Sequence, residues 1–364
     1  MATREVVILD GARTAIGRFG GVTRELSAVQ MCAVAARAAL ARSGLPVTAP
    51  ALTLQQACVS GMQAVMLAAQ RLALGDADLV LAGGMEHMSS IPFLAVDQRW
   101  GSRLGDARLL DAMYKDGYIC AITGKHMGEM TDALARRYGI SRQEQDQYAA
   151  ESQQRAARAA ADGFTAKLIA PLEICHAKGP AALFVDDEHP RPDSTAEKLA
   201  KLPPAFGKEG TITAGNASGI TDGACALVVA GKDVADRLGI KPSAYVRGYA
   251  TAAVDPADFG IAPVPASLKA LQRLGKTVKG MDLVEINEAF AAQTLAVMRD
   301  LDLPRDKVNV HGGAIALGHP TGMSGARIVL HLVYALRERG GRWGLATICG
   351  NGGHGGAVVL ELAE

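Results

Sequence analysis

Residues 311–355 read HGGAIALGHPTGMSGARIVLHLVYALRERGGRWGLATICGNGGHG, and this stretch constrains the fold more than any other part of the chain. His319 lies in a glycine-rich turn directly before a helix-like segment, and Cys349 directly follows the apolar, strand-like run 345–348. The two residues are 30 positions apart, about the length of one helix–strand unit. Such a unit can return the chain so that the cysteine lies beside the histidine-bearing turn. A thiol beside an imidazole can act as a nucleophile or as an acid/base.

A second cysteine, Cys58, also stands at a glycine-bearing turn, in the stretch LTLQQACVSGMQAVMLAAQ at residues 52–70. An apolar, strand-like run ends at Cys58, and residues 61–74 predict a helix. The positive end of a helix dipole lowers the pKa of a thiol, so we expect the sulfur of Cys58 to be exposed and reactive. The other cysteines lie in helix-like or undistinguished contexts and are interpreted as packing residues: Cys32, Cys120, Cys175 and Cys225.

Composition disfavours several classes of protein. The chain has 364 residues, 49% of them hydrophobic, which is enough for a large core or two fused domains. A net charge of +1 predicts no attraction to nucleic acid or membrane, and no apolar run looks long enough to span a bilayer. The first residues predict a strand and a turn, not a signal peptide. Six cysteines without CxxC pairing indicate reduced thiols in a cytoplasm, and no metal site is expected from the eight histidines.

Apolar strands alternate with amphipathic helices along the chain, which predicts an α/β fold with helix-covered sheets. The predicted strands are 6–9, 79–82, 283–286, 345–348 and 357–362. The predicted helices are 26–42, 61–74, 144–162, 265–274, 288–300 and 324–339. Residues 58–84 also resemble 319–353 in plan, because each has a reactive residue, a Gly-Met turn, a helix and a strand that ends in glycines. Two similar halves would place both reactive turns at one shared face.

Five motifs, in order along the chain, carry a resemblance to a known family. They are GARTAIGRFGG at 11–21, GGMEHMS at 83–89, GTITAGNASGITDGA at 210–224, DLVEINEAFAAQ at 282–293 and GGAIALGHPTG at 312–322. Together with the loop at Cys349 they make the chain resemble the thiolase family nearly from end to end, in particular its biosynthetic, short-chain acetyl-CoA acetyltransferases. The nine-residue match around His319 outweighs its interpretation as an ordinary turn histidine.

The resemblance implies a thiolase-like fold: two similar α/β halves with helix-covered mixed sheets and an inserted loop domain. We expect an N-terminal half at 1–118, a loop domain that covers coenzyme A at 119–210, the end of the N-terminal half at 211–240, and the C-terminal half at 241–364. The first part is shorter than in thiolases by one strand–helix unit of roughly 30 residues, between Gly44 and Cys58. Thiolases use that unit in their first sheet and dimer contact. A homodimer or a dimer-of-dimers tetramer is nonetheless expected.

The resemblance also implies roles for the catalytic residues. Cys58 matches the nucleophile that carries the acyl group, and His319 matches the base that takes its proton. Cys349 matches the acid/base of the second half-reaction. Asn287 matches the residue that holds an oxyanion-hole water with His319, and it is also well suited to be a helix N-cap. The backbone N–H groups of Cys58 and Asn351 match the second oxyanion hole. Thiolases usually have glycine at the latter place, and asparagine tolerates the left-handed backbone that glycine favours.

Coenzyme A and acyl-CoA are expected as substrates, with no tightly bound cofactor. Arg191 would face a phosphate or the adenine, although alone it reads as a solvated surface charge, and Ser218 would lie near the pantetheine. The triplet His126-Met127-Gly128 is the form seen in short-chain thiolases. The full set of matching substrate-binding positions is Arg191, Ser218, Ala214, Ala289, Phe290, Tyr118, His126 and Met127.

The expected reaction is the reversible Claisen condensation of two acetyl-CoA molecules to acetoacetyl-CoA and CoA, or thiolysis of short 3-ketoacyl-CoA. It would follow a ping-pong mechanism through acyl-Cys58. Three alternatives stay open. A decarboxylating ketoacyl synthase or hydroxymethylglutaryl-CoA synthase shares the fold, but lacks a cysteine at the place of Cys349. The chain could instead be a catalytically impaired CoA-binding homologue, or a degradative thiolase for longer chains.

Overall fold

The computed structural model describes residues 4–41, 49–174 and 180–363, and within them strands and helices alternate as the sequence predicts. The strands are β1 Val6–Arg13, β2 Gly17–Arg18, β3 Leu79–His87, β4 Phe93–Leu94, β5 Leu110–Asp111, β6 Leu172–Ile174, β7 Ala182–Phe184, β8 Thr221–Gly231, β9 Ala244–Ala253, β10 Leu283–Ile286, β11 Trp343–Gly350 and β12 His354–Leu362. The α-helices are α1 Ala28–Leu40, α2 Ser60–Leu74, α3 Met127–Arg137, α4 Arg142–Ala161, α5 Ala196–Leu199, α6 Lys232–Arg237, α7 Pro263–Gln272, α8 Ala291–Asp300, α9 Ala314–Leu317 and α10 Thr321–Arg339.

One mixed sheet organises the molecule and consists of two similar halves. Its strand order is β10-β11-β12-β9-β1-β8-β2, and β3 pairs with β8 beside this path. In the C-terminal half, β12 is antiparallel to both β9 and β11, just as β8 in the N-terminal half is antiparallel to both β1 and β3. The halves are joined where Val7 and Ile8 of β1 pair with β9. The predicted architecture of two α/β halves is therefore present.

Helices α2 and α10 pack together at the centre of the molecule. Helix α2 precedes β3, and α10 precedes β11, so the two occupy equivalent places in the two halves. The contact is close because glycines line it: a Cβ on Gly61 would lie 2.7 Å from the carbonyl oxygen of Gly322 and 2.8 Å from the amide nitrogen of Ala326. A Cβ on Gly84 of β3 would collide with the same Gly322 carbonyl. The two helices therefore begin side by side, and the turns that precede them lie at one face of the molecule.

Two long strands have no counterpart among the predicted ones. Strand β8, TDGACALVVAG, is buried along its whole length between β1 and β3, so it shows no alternation of polar and apolar residues. Strand β9 is half-buried, and its sequence AYVRGYATAA contains few strongly hydrophobic residues. Both strands depend on neighbours that are distant in sequence, which is why local pattern misses them.

The predicted strand before Cys58 is absent. Residues 49–55 carry no strand, and α2 is preceded only by a turn. In the C-terminal half, β10 pairs in parallel with β11, and Val284 of β10 bridges Val308. In the N-terminal half no described residue pairs with the corresponding outer edge of β3. In the C-terminal half, the segment at Val308 pairs with β10. No described strand takes the place of β10 in the N-terminal half, so the run before Cys58 has no strand to form hydrogen bonds with.

The segment Ala57–Leu74 is long and apolar enough, by length and composition alone, to cross a membrane. From the sequence we expect no apolar run long enough to span a bilayer, and this segment is an exception to that expectation. The segment consists of α2 and the turn before it, and α2 lies in the core against α10 and β3, so it has the character of the core helix of a globular protein. The predicted helix 26–42 is α1, and its last predicted residue lies outside the described residues, as does Cys175.

The glycine contact between α2 and α10 gives the first prediction. In an exposed helix, Gly→Ala stabilises by about 1 kcal/mol. Gly61→Ala should instead lower the free energy of unfolding by about 1–3 kcal/mol, because its methyl group meets backbone atoms that cannot move independently. Urea denaturation measures the difference. Gly280→Ala is the matched control, since no atom lies within 4 Å of the added Cβ. Equal stabilities of the two variants would contradict the close approach.

Candidate active site

Cys58 lies in a tight turn at the start of α2. Ala57 has φ +47°, a left-handed conformation that is uncommon for a residue with a side chain. The Ser60 hydroxyl fixes the turn, since it accepts a hydrogen bond from the Gln56 N–H (2.8 Å) and donates one to the Ala57 carbonyl (2.7 Å). The backbone N–H groups of Cys58 and Asn351 lie close enough to the Cys58 thiol to favour its thiolate form. Two amide donors are therefore near the sulfur.

The thiol of Cys58 is not activated at rest. Its side chain is 6% exposed, and burial raises its pKa to about 12 against the opposing effect of the two N–H donors. The expectation of an exposed sulfur with a lowered pKa is therefore wrong. Burial of the thiolate away from water raises the pKa of Cys58 by more than the positive end of the helix lowers it. A thiolate here requires a base that takes the proton during the reaction.

His319 is suited to be that base. Its Nδ1 lies 2.6 Å from the Ser324 hydroxyl, which donates onward to the Pro320 carbonyl (3.0 Å). The hydroxyl must then accept from Nδ1–H, so in the neutral ring Nε2 carries the free electron pair. Burial, with a smaller contribution from the Arg327 charge, lowers the pKa of His319 to about 3. The imidazole is therefore neutral near pH 7, with a basic nitrogen available.

Asn287 faces that nitrogen, because its Nδ2 lies 3.3 Å from Nε2 of His319. It directly follows β10 and is fully buried. The interpretation of Asn287 as a helix N-cap is wrong, since α8 begins at Ala291 with Phe290 as its N-cap. Hydrogen bonds to the neighbouring GNASG motif hold the intervening residues outside the helix, from the Ser218 N–H to the Ala289 carbonyl and from the Ala291 N–H to the Asn216 carbonyl.

The residue after Asn287 anchors this loop. The buried carboxylate of Glu288 accepts hydrogen bonds from Tyr148 (2.8 Å) and Ser152 (2.7 Å) of α4, from Asn309 (2.9 Å), and from the Ile315 N–H (3.1 Å) of α9. Because α9 leads directly into His319, this single carboxylate fixes the loop of Asn287 and the turn of His319 relative to each other.

Cys349 lies in β11, where it pairs with Gly355 of β12. Its side chain is fully buried, and burial raises the pKa of its thiol, with a further increase from the nearby Cys58. The two cysteines therefore lie near one another, since Gly350, next to Cys349, also approaches Val59, next to Cys58. The left-handed positions of the following turn are Gly352 and Gly353, with φ +85° and +86°. Asn351 does not adopt the expected left-handed backbone.

Two side chains that complete the site were not predicted. Glu86 of β3 accepts hydrogen bonds from the Thr321 hydroxyl (2.6 Å) and the Gly322 N–H (3.2 Å) at the start of α10, and its charge reaches Cys58. Ser324 orients His319. Both lie inside quoted motifs, GGMEHMS and HPTGMS, so their positions were visible in the sequence although their contacts were not.

The residues expected to bind substrate divide into a buried and an exposed group. The ring of His126 lies 5.7 Å from that of Tyr118 and stacks on Phe206 at 4.4 Å, and Phe206 meets Phe290 edge-on at 6.4 Å. Phe206 was not predicted. Met127 and Ala289 are buried in the same hydrophobic cluster, whereas Ser218 is half-buried. Arg191 and Ala214 are exposed, and the Arg191 backbone N–H donates to Gln153 (2.7 Å).

The chemistry of these groups is that of acyl transfer. Two thiols and two nearby backbone N–H groups lie in a buried site at the start of α2, and the helix that follows the neutral His319 begins beside it. Backbone N–H donors stabilise the negative charge that develops on a carbonyl oxygen. Within residues 4–41, 49–174 and 180–363, no three His, Cys, Asp or Glu side chains form a group that could hold a metal ion.

Comparison with known proteins gives the same family throughout the chain. "Thiolase, N-terminal domain" matches residues 33–233 and "Thiolase, C-terminal domain" matches residues 240–362. An acetyl-CoA acetyltransferase of Chromobacterium violaceum is 45% identical over 389 aligned residues, which cover 98% of this chain and 99% of that protein. An acetyl-CoA acetyltransferase of Escherichia coli is 43% identical, with coverage of 98% and 99%.

Solved structures agree with the sequence matches. Human mitochondrial 3-ketoacyl-CoA thiolase superposes with a TM-score of 0.96 at 39% identity, over 99% of both chains. Bacillus anthracis acetyl-CoA acetyltransferase gives the same TM-score and identity, also over 99% of both chains. The thiolase-like α/β fold predicted from the motifs is confirmed, and the chain is a member of the thiolase family.

Proposed function

We propose that the protein is an acyltransferase that condenses two acetyl-CoA molecules to acetoacetyl-CoA and CoA, and that catalyses the reverse thiolysis. The observation that carries this proposal is that two buried cysteines lie near each other at the start of α2, where α10 packs alongside with the neutral His319 two residues before it. One cysteine suffices for simple acyl transfer. A second thiol that faces the first is what a reaction with a carbon nucleophile requires, because a further base must remove a proton from the second substrate.

The first half-reaction makes an acyl-enzyme. Nε2 of His319 takes the proton of Cys58 as the sulfur attacks the thioester carbonyl of acetyl-CoA. The oxygen of the tetrahedral intermediate accepts hydrogen bonds from the N–H groups of Cys58 and Asn351, which lie near the sulfur. When the carbon–sulfur bond to coenzyme A breaks, Cys349 supplies the proton to the departing thiolate. Acetyl-Cys58 and free CoA result, with Cys349 left as the thiolate.

The second half-reaction forms the carbon–carbon bond. The Cys349 thiolate removes an α-proton from a second acetyl-CoA, and the enolate oxygen is stabilised by Nε2–H of His319 and by a water held by Asn287, as the thiolase resemblance implies. The α-carbon attacks the carbonyl of acetyl-Cys58. The carbon–sulfur bond to Cys58 then breaks, acetoacetyl-CoA leaves, and His319 returns its proton to the Cys58 sulfur. Each thiol thus regains its resting, neutral form.

The aromatic cluster supports a short acyl chain. His126 stacks on Phe206, which meets Phe290 edge-on, and Phe290 and Met127 belong to the same buried cluster as Cys349. Bulky side chains this close to the proposed acid/base favour a small acyl group. We further propose that Ser218 lies along the pantetheine and that the exposed Arg191 faces a phosphate or the adenine of coenzyme A. A homo-oligomeric state and a cytoplasmic location stay predictions from the resemblance and the composition.

The acyl-enzyme gives the second prediction. After incubation with isotopically labelled acetyl-CoA, mass mapping should find acetyl on Cys58, and initial-rate plots at several fixed concentrations of the second substrate should be parallel. Cys58→Ala should take up no label, whereas Cys32→Ala, at a half-buried cysteine of α1, should be labelled as the wild type is. Label on Cys349 with none on Cys58 would contradict the assignment, and intersecting lines would indicate a ternary complex.

The third prediction concerns Cys349. Cys349→Ser should lower turnover about 10²–10⁴-fold in both directions, because a serine hydroxyl is too weak an acid for proton transfer near pH 7. The hydroxyl has nearly the shape of the thiol, so the variant should unfold at the same temperature as the wild type. Iodoacetamide should still alkylate Cys58, whereas His319→Ala should suppress that alkylation. Near-normal activity of Cys349→Ser would favour the synthase-like alternative.

The fourth prediction separates the short-chain reaction from a degradative one. We expect kcat/KM for thiolysis of acetoacetyl-CoA to exceed that for 3-ketohexadecanoyl-CoA, because the cluster around His126 narrows the acyl pocket. The comparison is informative because this chain superposes equally well on a 3-ketoacyl-CoA thiolase and on an acetyl-CoA acetyltransferase. The opposite order would assign the longer-chain reaction. Absence of turnover with both substrates would favour an impaired, CoA-binding homologue.

A further inference from the structure

The turn between β11 and β12 carries an oxyanion donor, yet its backbone is intrinsically permissive. It contains two consecutive left-handed glycines, Gly352 and Gly353, which by themselves leave the turn many conformations. Its far end is fixed, because the Gly353 carbonyl accepts a hydrogen bond from the Val254 N–H (3.0 Å). Its near end, at Asn351, must be fixed by something else if the N–H of that residue is to stay near the Cys58 thiol.

The side chain of Asn351 makes the contact at the near end. Its Nδ2 donates to the carbonyl of Gly117 (3.0 Å) and, over 3.4 Å, to that of Ile119. One residue further on, the Gly352 N–H lies near the thiol of Cys120 and helps to lower its pKa. The side chain of Asn351 therefore attaches the turn to a short segment, residues 117–120.

The carbonyl groups of residues 117–119 lie at the end of a helical turn, where hydrogen-bond donors are scarce. Residues Met113–Tyr118 form a π-helical turn, a rare conformation that leaves the carbonyl groups at its C-terminal end without partners in the helix. The amide of Asn351 supplies the donors for two of the carbonyls in this region. Between them lies Tyr118, whose pKa is raised by burial and, in addition, by the neighbouring Cys58 and Glu86. The segment therefore carries part of the wall beside the nucleophile.

We propose that Asn351 is a positioning residue: by donating to the carbonyls of Gly117 and Ile119, its side chain holds its own backbone N–H toward the Cys58 sulfur and ties that oxyanion donor to the segment carrying Tyr118. The proposal rests on the proposed acyl-transfer function. It assigns a role to the amide side chain itself, through its contacts with the carbonyls of Gly117 and Ile119.

The consequence is kinetic. Loss of a complete oxyanion donor lowers kcat about 10²–10³-fold. Loss of only the anchor leaves the N–H in place but poorly held, so Asn351→Ala should lower the rate of Cys58 acetylation by acetyl-CoA by about 10-fold or more, within that bound. KM for acetyl-CoA should change little, since the amide does not bind the substrate. Asn351→Gln keeps a donor group and should recover part of the rate.

The decisive measurement compares two reactions of the same sulfur. Acetylation by acetyl-CoA passes through an oxyanion, whereas alkylation by iodoacetamide does not. Asn351→Ala should therefore acetylate slowly in a quenched-flow assay and alkylate at nearly the wild-type rate, with an unchanged unfolding temperature. Gln147→Ala, which removes an exposed amide on α4, is the control and should match the wild type in both reactions.

Three outcomes would overturn the inference. Wild-type acetylation in Asn351→Ala would show that the anchor is unnecessary. An equal loss of acetylation and alkylation, or a fall in unfolding temperature, would assign the amide a merely structural role. Failure of the proposed function is distinguishable, because the wild-type protein itself would then form no acetyl-Cys58.

Discussion

The close approach of α2 and α10 is the constraint on which the site depends. Gly61 and Gly322 let the starts of the two helices touch, and Gly84 lets β3 approach the same point. Cys58 and His319 each lie two residues before one of these helices, so the separation of nucleophile and base is set by backbone contact and not by flexible side chains. Backbone contacts of this kind cannot adjust gradually, because the interior is close-packed.

Burial determines how that site must work. The thiols of Cys58 and Cys349 have raised pKa values, and the pKa of His319 is lowered, all mainly through loss of water. Every participant is therefore neutral at rest, and charge arises only in pairs as a proton passes from sulfur to nitrogen. A dry site has a second effect, since N–H donors stabilise an oxyanion more strongly where water does not compete. The same burial that makes the thiols weak acids makes the oxyanion holes effective.

Within the described residues, the N-terminal half lacks one strand that the similar C-terminal half has. Strand β11 has β10 on its outer edge, whereas no described residue pairs with the outer edge of its counterpart β3. The relative from Chromobacterium violaceum aligns over 389 residues, more than this chain contains, so that protein has residues without counterparts here. The contacts that place the catalytic turns run between α2 and α10 and from the start of α10 to Glu86 of β3, and none of them involves a strand beyond β3.

The sequence by itself was enough to predict candidate catalytic residues and the order of most strands and helices. Glycines near Cys58, Cys349 and His319 form short sequence patterns that can be recognised without knowledge of the contacts in the folded protein. Tertiary structure alone decided the rest. Strand β8 shows no alternation because both its faces are buried, and the run before Cys58 forms no strand because it has no partner. The protonation states and the anchor of Asn351 depend on groups far apart in the chain, so no local pattern records them. Ser324 is only five residues from His319, but its hydrogen bond to the ring forms only in the folded turn.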